Sequence, residues 1–423
     1  MADIRIAQVG CGGMGLRHLH GQVESQRLYN SFEYVAVCDI SESSASHVAN
    51  EANVLLGSRP KVYTDFEKLL EQEKGLDAVD IVTSVGQHHI IATKAAEAGV
   101  HIATEKPMGV TVRACRKMIR AVEKHNVVLS VSENYRRDPM NRLTKAILES
   151  DVLGTQRLFV DLTTRGTRRM PHGTAWRHQK NAGGYMLDYA VHNADLLQYF
   201  MGRVDRVYAE TQLWEKRRDA TGPESTNMKA FYEHRQLVDV EQPGVVECTS
   251  EDMASGVIRF ESGAMANFLN TIAAPGNNIS TSIVYCDDGS ISLSPSRTGS
   301  PSSLTRIGEE QPISTDDLLN LVPDFELDEM TAKAFGASRI SSYKMDFPLV
   351  DATLIALELE DFAEAIRTGS RPEVTGQVGL EAVALTYAFL ESGYTNEPVQ
   401  FTDVVSERTN LYQQEINDHY GLG

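Results

Sequence analysis

The sequence predicts an α/β protein of two domains. Residues 1–135 are expected to form a doubly wound parallel sheet, and residues 136–423 an α+β domain with a large, open, mostly antiparallel sheet. Two patterns carry this prediction. Short apolar runs alternate with helix-length segments up to about residue 135, which is typical of βαβ units. Longer strand-like runs then follow one another between Val245 and Leu293, with little helix between them.

The first strand–helix–strand unit, residues 4–39, contains a glycine-rich turn. A buried strand ends at Val9, Gly10-Cys11-Gly12-Gly13-Met14-Gly15 follows it, and a second strand ends at Asp39. In a Rossmann dinucleotide site the first glycine permits the turn, the second lets backbone approach the pyrophosphate, and the third lets helix and strand pack closely. We therefore assign the turn to cofactor binding, together with Asp39 and Ile40.

Asp39 indicates which dinucleotide is bound. Its carboxylate can accept hydrogen bonds from both ribose hydroxyls, and it would repel a 2′-phosphate. Ser41 and Glu42 follow, and no Arg or Lys occurs before Arg59. The sequence therefore favours NAD over NADP.

Composition excludes several classes of partner. The formal charge of −18 over 423 residues argues against nucleic acid and against an anionic membrane, because both require a basic face. The five scattered cysteines have no CxxC spacing and are typical of a reduced intracellular protein. We expect a cytoplasmic protein without a bound metal, and an open sheet predicts a homodimer or homotetramer.

Polar residues gather where the predicted parallel strands end, at the edge where such sheets bind ligands. They are Gly10, Asp39, Thr83, Lys106 and Asn134. Lys106 lies in Glu105-Lys106-Pro107, and a lysine there can stabilise an alkoxide; a surface lysine on a loop is the alternative interpretation.

A second constellation lies between Gly183 and His192. Asp188 and His192 are four residues apart on a predicted helix, so both side chains share one face. A histidine beside a carboxylate is suited to take a proton from an alcohol near neutral pH. A salt-bridged helix pair is the structural alternative. The helices predicted within 349–392 are expected to pack back toward the first domain, and residues 294–303 to form a surface loop.

Together these motifs resemble the glucose–fructose oxidoreductase, inositol dehydrogenase and rhizopine-catabolism (Gfo/Idh/MocA) family along nearly the whole chain. The matching segments are the glycine turn, Thr83 with His88 five residues later, Glu105-Lys106-Pro107, residues 134–139 and Gly183 to His192. Two departures occur: Ser84-Val85-Gly86 replaces the family's Pro-Asn pair, and Ala182 stands where a third glycine is common.

The resemblance implies a role for each residue. Lys106 would bind the reacting hydroxyl, His192 would be the general base, and Asp188 would orient His192 and relay its proton. Hydride would pass from the substrate carbon to C4 of the nicotinamide. The nicotinamide side would be lined by Thr83, Ser84, His88, Glu105, Lys106 and Asn134.

The implied function is an NAD-dependent dehydrogenase acting on a secondary alcohol of a sugar, polyol or glycoside. Three alternatives share these residues. One cleaves a glycosidic bond by transient oxidation and elimination while NAD is recycled. Another keeps NAD tightly bound and exchanges substrates. The third is a non-catalytic sugar sensor.

Basic residues crowd the loop before the predicted catalytic helix: Arg165, Arg168, Arg169, His172, Arg177, His178 and Lys180. The resemblance places this loop near the substrate, with Tyr135 and Trp176 beside it. One hypothesis is that Arg165, Arg169 and Arg177 receive an anionic group of the substrate. The alternative is ion pairing with an acidic surface of the chain or of a neighbouring subunit.

Overall fold

The computed structural model describes residues 4–169, 175–219 and 244–423, and it confirms the predicted fold class. The first sheet has six strands: β1 (Ile4–Val9), β2 (Phe32–Cys38), β3 (Lys61–Tyr63), β4 (Ala78–Ile81), β5 (His101–Glu105) and β6 (Leu129–Ser132). Their order is β3-β2-β1-β4-β5-β6, and every adjacent pair is parallel. All six strands therefore end at one edge of the sheet.

Five helices connect these strands: α1 (Gly13–Leu28), α2 (Glu42–Leu56), α3 (Phe66–Gln72), α4 (Val85–Glu97) and α5 (Val112–His125). The side chains of Ser41, Asp65 and Thr111 cap α2, α3 and α5, each accepting from a backbone N–H three residues further on. Such caps satisfy amides that the helix itself leaves unbonded. Helix α1 has no capping side chain, which leaves its first amides available to a ligand.

The second sheet has eight strands: β7 (Gln156–Thr164), β8 (Val204–Gln212), β11 (Met253–Phe260), β12 (Met265–Thr271), β13 (Ile279–Cys286), β14 (Gly289–Ser292), β15 (Ser303–Arg306) and β16 (Val399–Gln400). Two further strands, β9 (Arg217–Asp219) and β10 (Val245–Glu247), pair with each other. The order of the large sheet is β15-β14-β13-β7-β12-β11-β8-β16. Among its pairs, β7 with β12 is parallel and the others are antiparallel.

The second part of the chain also contributes helices: α6 (Pro139–Glu149), α7 (Gly184–Met201), α8 (Thr315–Leu321), α9 (Glu329–Phe335), α10 (Phe347–Thr368), α11 (Gly376–Thr395), α12 (Phe401–Val405) and α13 (Leu411–His419). Helices α7 and α11 cover one face of the large sheet. There Phe159 meets Phe200 edge to face, and Phe268 stacks on Phe389 with ring centroids 4.5 Å apart.

Helices α10 and α11 also lie against the first sheet. A Cβ on Gly21 of α1 would be 2.3 Å from the Ile355 side chain of α10, and one on Gly379 of α11 would be 2.8 Å from Val131 of β6. These glycines allow the close approach. The domain boundary at residue 135 stays a prediction. Within the described ranges, no helix has both the length and the apolar character needed to cross a membrane.

Candidate active site

Gly10, Gly12 and Gly15, the motif glycines of the turn, have different surroundings. Gly10 has φ +107°, and a Cβ there would lie 2.4 Å from the Val82 carbonyl oxygen. A Cβ on Gly15 would lie 2.3 Å from the Gly10 carbonyl oxygen, whereas one on Gly12 would meet nothing within 4 Å. Gly10 and Gly15 are therefore required by packing. Gly12 faces open space at the uncapped start of α1, where backbone amides and the helix dipole favour phosphates.

Asp39 is held by two backbone amides at the end of β2. Its Oδ2 accepts from the Cys11 N–H at 2.8 Å, and its Oδ1 accepts from the Ser41 N–H at 2.9 Å. Each oxygen keeps a lone pair for a ribose hydroxyl. The neighbouring Ile40 side chain is 95% exposed, an apolar surface suited to an adenine ring. These residues fit the adenosine half of NAD.

The nicotinamide side begins where β4 and β5 end. Thr83 and Ser84 precede α4, as predicted. His88 is buried, with Nδ1 3.0 Å from the Pro107 carbonyl oxygen and Nε2 3.1 Å from the Thr83 carbonyl oxygen. Burial lowers the pKa of His88. The neutral ring has one N–H and donates to one of these two carbonyl oxygens. His88 thus links the loops that follow β4 and β5, and its predicted contact with the cofactor stays a prediction.

Glu105 and Asn134 are buried at the same edge. Glu105 Oε1 is 3.1 Å from His18 Nε2, and His18 Nδ1 is 2.8 Å from Asp80 Oδ2. Burial lowers the pKa of His18, but the two carboxylates outweigh burial and raise it to about 10. His18 is therefore a buried imidazolium that fixes the strand end before Lys106. Among the described residues, none donates to Asn134 Oδ1, which makes this oxygen a candidate partner for the nicotinamide amide.

Lys106 of the first part of the chain contacts helix α7 of the second. Its Nζ donates to the Asp188 carbonyl oxygen at 2.8 Å and lies 3.4 Å from Asp188 Oδ1. The ammonium is partly exposed, with 17% of the side chain accessible. His192 lies one turn further along α7, close enough to Lys106 that the ammonium helps to lower its pKa. The three residues predicted to act together are thus brought together.

The pairing within this group differs from the one that the resemblance implies. Asp188 does not bond to His192; its Oδ2 accepts from Arg177 Nε at 2.6 Å, and its Oδ1 faces Lys106. Burial opposes ionisation of Asp188, but the two cations hold its pKa well below the usual range. An acid that stays ionised beside two cations is poorly suited to relay a proton. The four-residue spacing placed Asp188 and His192 on one face correctly, but cations from other segments attract the carboxylate.

His192 has a different acid as its partner, Glu133. Nδ1 of His192 lies 2.6 Å from Glu133 Oε2, and the Tyr135 ring stacks on the imidazole with centroids 4.1 Å apart and an interplanar angle of 11°. Arg297 Nη2 donates to the Tyr135 hydroxyl at 3.0 Å. Tyr135 was predicted to bind substrate, and its ring contacts His192 directly; the substrate contact stays a prediction.

The sequence analysis missed Glu133, Arg297 and the buried role of His18. Glu133 could have been found, because it immediately precedes Asn134 at a predicted strand end. Arg297 carries no such signal. It lies in the predicted surface loop 294–303, in a left-handed conformation at φ +65°, and its guanidinium reaches inward to Tyr135 and Asp351.

The basic loop is largely neutralised by nearby acids. Besides Arg177 with Asp188, Lys180 Nζ lies 2.9 Å from Glu415 and Arg168 lies 3.8 Å from Glu215. Arg177 also stacks over Trp176 at 4.3 Å. Burial lowers the pKa of His178 to about 4, so it adds no charge at neutral pH. Arg165 and Arg169 are exposed, and His172 lies outside the described residues.

The glycine turn after β1 and Lys106 after β5 lie at the same edge of the parallel sheet, an arrangement typical of a nicotinamide-dependent oxidoreductase. The family comparison agrees. Residues 4–133 match the model described as "Oxidoreductase family, NAD-binding Rossmann fold", and residues 145–401 match its "C-terminal alpha/beta domain". The chain therefore belongs to the Gfo/Idh/MocA oxidoreductase family, and the predicted enzyme class and cofactor, NAD, are confirmed.

Individual relatives have modest sequence identity to this chain. The chain is 28% identical to levoglucosan dehydrogenase of Pseudarthrobacter phenanthrenivorans, over 69% of this chain and 73% of the relative. It is 24% identical to myo-inositol 2-dehydrogenase of Thermotoga maritima, over 95% of this chain and 100% of the relative. A solved structure of levoglucosan dehydrogenase with NADH and L-sorbose superposes with a TM-score of 0.74 at 22% identity, over 95% of this chain and 99% of that one. That likeness shows a shared fold.

Proposed function

We propose that the protein is an NAD-dependent dehydrogenase that oxidises a secondary alcohol of a sugar, polyol or glycoside. The observation that carries the proposal is the contact between Lys106 and Asp188, with His192 one helical turn away. It supports the proposal because an ammonium, an ionised carboxylate and an imidazole lie together where β5 ends, and parallel sheets bind ligands at the ends of their strands. The relatives support the substrate class, since they are named as sugar and inositol dehydrogenases.

Each residue has its own role in the proposed oxidation. NAD, when bound, supplies the hydride acceptor. Lys106 binds the reacting hydroxyl and stabilises the negative charge that develops on its oxygen, while Asp188 fixes the position of the ammonium. His192 accepts the hydroxyl proton at Nε2. The alcohol becomes a carbonyl, and the proton passes from His192 to solvent.

The ion pairs of the basic loop favour a neutral substrate over an anionic one. Arg177, the loop cation that contacts Asp188, is paired with that acid, so an anionic group at Arg177 would have to displace Asp188, whereas Arg165 and Arg169 are exposed to solvent. We therefore expect neutral sugars and polyols to be better substrates than their acidic counterparts.

The first test is a panel of neutral sugars, acidic sugars, polyols and glycosides, scored with NAD by NADH absorbance. Lys106→Ala is expected to lower kcat/KM for the best substrate by about 10³-fold, because it removes a donor to the developing alkoxide. Lys117→Ala, a lysine on α5, is the control. Undiminished turnover by Lys106→Ala contradicts the proposal. Cleavage of a glycoside without NADH accumulation favours the recycling mechanism instead.

We also propose that the open face of the second sheet forms a contact between copies of the chain. On β7, Phe159 points into the core, whereas Leu158, Val160 and Leu162 point to the opposite face and stay partly exposed. They continue across the sheet into apolar neighbours: Tyr285, Ile283, Met265, Leu269, Val257 and Tyr208. An apolar face of this extent is typical of a subunit interface.

Sedimentation velocity tests this contact. Val160→Lys places a charge in the centre of the face and is expected to shift the protein toward monomer. Ile307→Lys is the matched control, since Ile307 is 76% exposed and lies outside the strands of the sheet. A wild-type protein that sediments as a monomer, or a Val160→Lys protein that keeps its oligomeric state, contradicts the proposal.

A further inference from the structure

The acid that positions the base comes from the first sheet and not from the catalytic helix. We propose that Glu133 is the positioning residue of His192: its carboxylate accepts the Nδ1–H, so that Nε2 is the ring nitrogen left to take the substrate proton. The inference rests on the proposed function, in which His192 is the base.

Geometry fixes both the plane and the orientation of the imidazole. The Nδ1–Oε2 distance of 2.6 Å is that of a charge-assisted hydrogen bond, and the stacked Tyr135 ring prevents rotation out of the plane. Glu133 is 1% exposed and follows directly on β6, and its backbone N–H bonds to the Val131 carbonyl at 3.0 Å. A rigidly held acid that accepts from Nδ1–H fixes the ring in the Nδ1–H tautomer and leaves Nε2 without a proton.

Asp188 does not take this role, because both its oxygens are engaged with cations. Across residues 4–169, 175–219 and 244–423, no cation bonds to Glu133 Oε2, which contacts His192. When Nε2 receives the hydroxyl proton, the imidazolium is paired with the Glu133 carboxylate through Nδ1–H, so the positive charge forms next to a negative one. NAD, when bound, would accept the hydride, so no further oxidant or reductant is needed.

The surrounding charges make the two residues titrate as one unit. Burial raises the pKa of Glu133 to about 8, against the pull of Lys106 and Arg136. Burial, with Lys106 and Arg297, lowers the pKa of His192 well below 6.5. Below about pH 8 the pair holds two protons and Nε2 is blocked; above it the pair holds one, on Nδ1, and Nε2 is free. The charged groups facing the pair are Glu105, Lys106, Arg136, Asp195 and Arg297.

The variant Glu133→Gln tests whether Glu133 positions the His192 ring or only contributes to folding. We expect kcat to fall by at least about 10²-fold with little change in KM, because an amide can donate to Nδ1 and stabilise the wrong tautomer. The acid limb of the kcat profile near pH 8 should move to lower pH, since only His192 then titrates. Glu358→Gln is the matched control: Glu358 is also buried, and none of the described residues bonds to its carboxylate oxygens. It should keep the wild-type rate and profile.

Nitrogen-15 NMR of the histidines tests the inference without turnover. His192, assigned by its loss in His192→Gln, is expected as the Nδ1–H tautomer in the wild type at pH 9, and as a mixture in Glu133→Gln. An Nε2–H tautomer in the wild type at pH 9 overturns the inference, as does an unchanged kcat and profile in Glu133→Gln. If Glu133→Gln does not fold, Glu133→Asp, which keeps the carboxylate, should retain the profile with a lower rate. Absence of any oxidisable carbohydrate would instead count against the proposed function, and the NMR result would still decide the tautomer.

Discussion

Two histidines in this protein each touch a buried glutamate, yet they have opposite affinities for a proton. His18, on α1, lies between Asp80 and Glu105, and its pKa is raised to about 10. His192, on α7, bonds to Glu133, and its pKa is lowered well below 6.5. Burial acts in the same direction on both imidazoles, so the difference comes from their neighbours.

The sum of nearby charges decides which histidine is structural and which can act as a base. His18 has two carboxylates within hydrogen-bond distance, so its charged form is favoured. His192 has one, and Lys106 and Arg297 lie close by and disfavour its protonation. A histidine beside an acid is therefore not sufficient evidence for a general base, because the cations around it must also be counted.

Among the variants that test this difference between the two histidines, replacement of His18 is expected to have the largest effect on stability. His18→Gln removes a buried charge and takes from Asp80 and Glu105 the imidazolium that both contact, which typically costs about 3–5 kcal/mol of unfolding free energy. Denaturant unfolding at pH 6 measures this loss. His125→Gln, at the end of α5, is the control and should be close to wild type. A loss no greater than the control's would mean that His18 is neutral in the folded protein.

The difference in unfolding free energy between wild type and His18→Gln should also change with pH in a definite direction. The folded pKa of His18, about 10, lies above its ordinary value of 6.5, so its charge stabilises the fold fully below about pH 6.5. That contribution is lost as pH rises toward about 10. The difference in unfolding free energy between wild type and His18→Gln should therefore be largest at pH 6 and shrink up to pH 10. A difference that grows with pH would contradict the ion-pair interpretation.

The elements that the sequence predicted best are those with local signals. The glycine turn, Asp39, Lys106 and the pair Asp188 and His192 each depend on spacing within one strand or helix, and the structure brings them to one edge. Strand alternation likewise predicted the parallel sheet, because each βαβ unit is contiguous in sequence. Local pattern was enough to place these residues.

The sequence did not predict which side chains from separate segments bond to one another. Asp188 turns to Arg177 and Lys106, and His192 to Glu133, because those groups arrive from separate segments. The loop carrying Arg297 illustrates the same limit, since its Ser-, Pro- and Gly-rich composition indicates surface while one side chain reaches inward. Helix spacing predicts which side chains share a face, and tertiary packing decides what they bond to.

The smallest effect expected here concerns the ring that stacks on the base. Tyr135→Leu removes an aromatic contact worth about 0.5–1.5 kcal/mol, so kcat should fall by roughly 3- to 10-fold while unfolding free energy changes less than in His18→Gln. Tyr135→Phe keeps the stack and loses only the hydroxyl that accepts from Arg297, so its kcat should stay near wild type. Equal losses in the two variants would assign the effect to the hydroxyl and Arg297 instead of the stack. In that case Glu133 alone would orient His192. The difference in pKa between His192 and His18, which contacts two acids, would then come entirely from the surrounding charges.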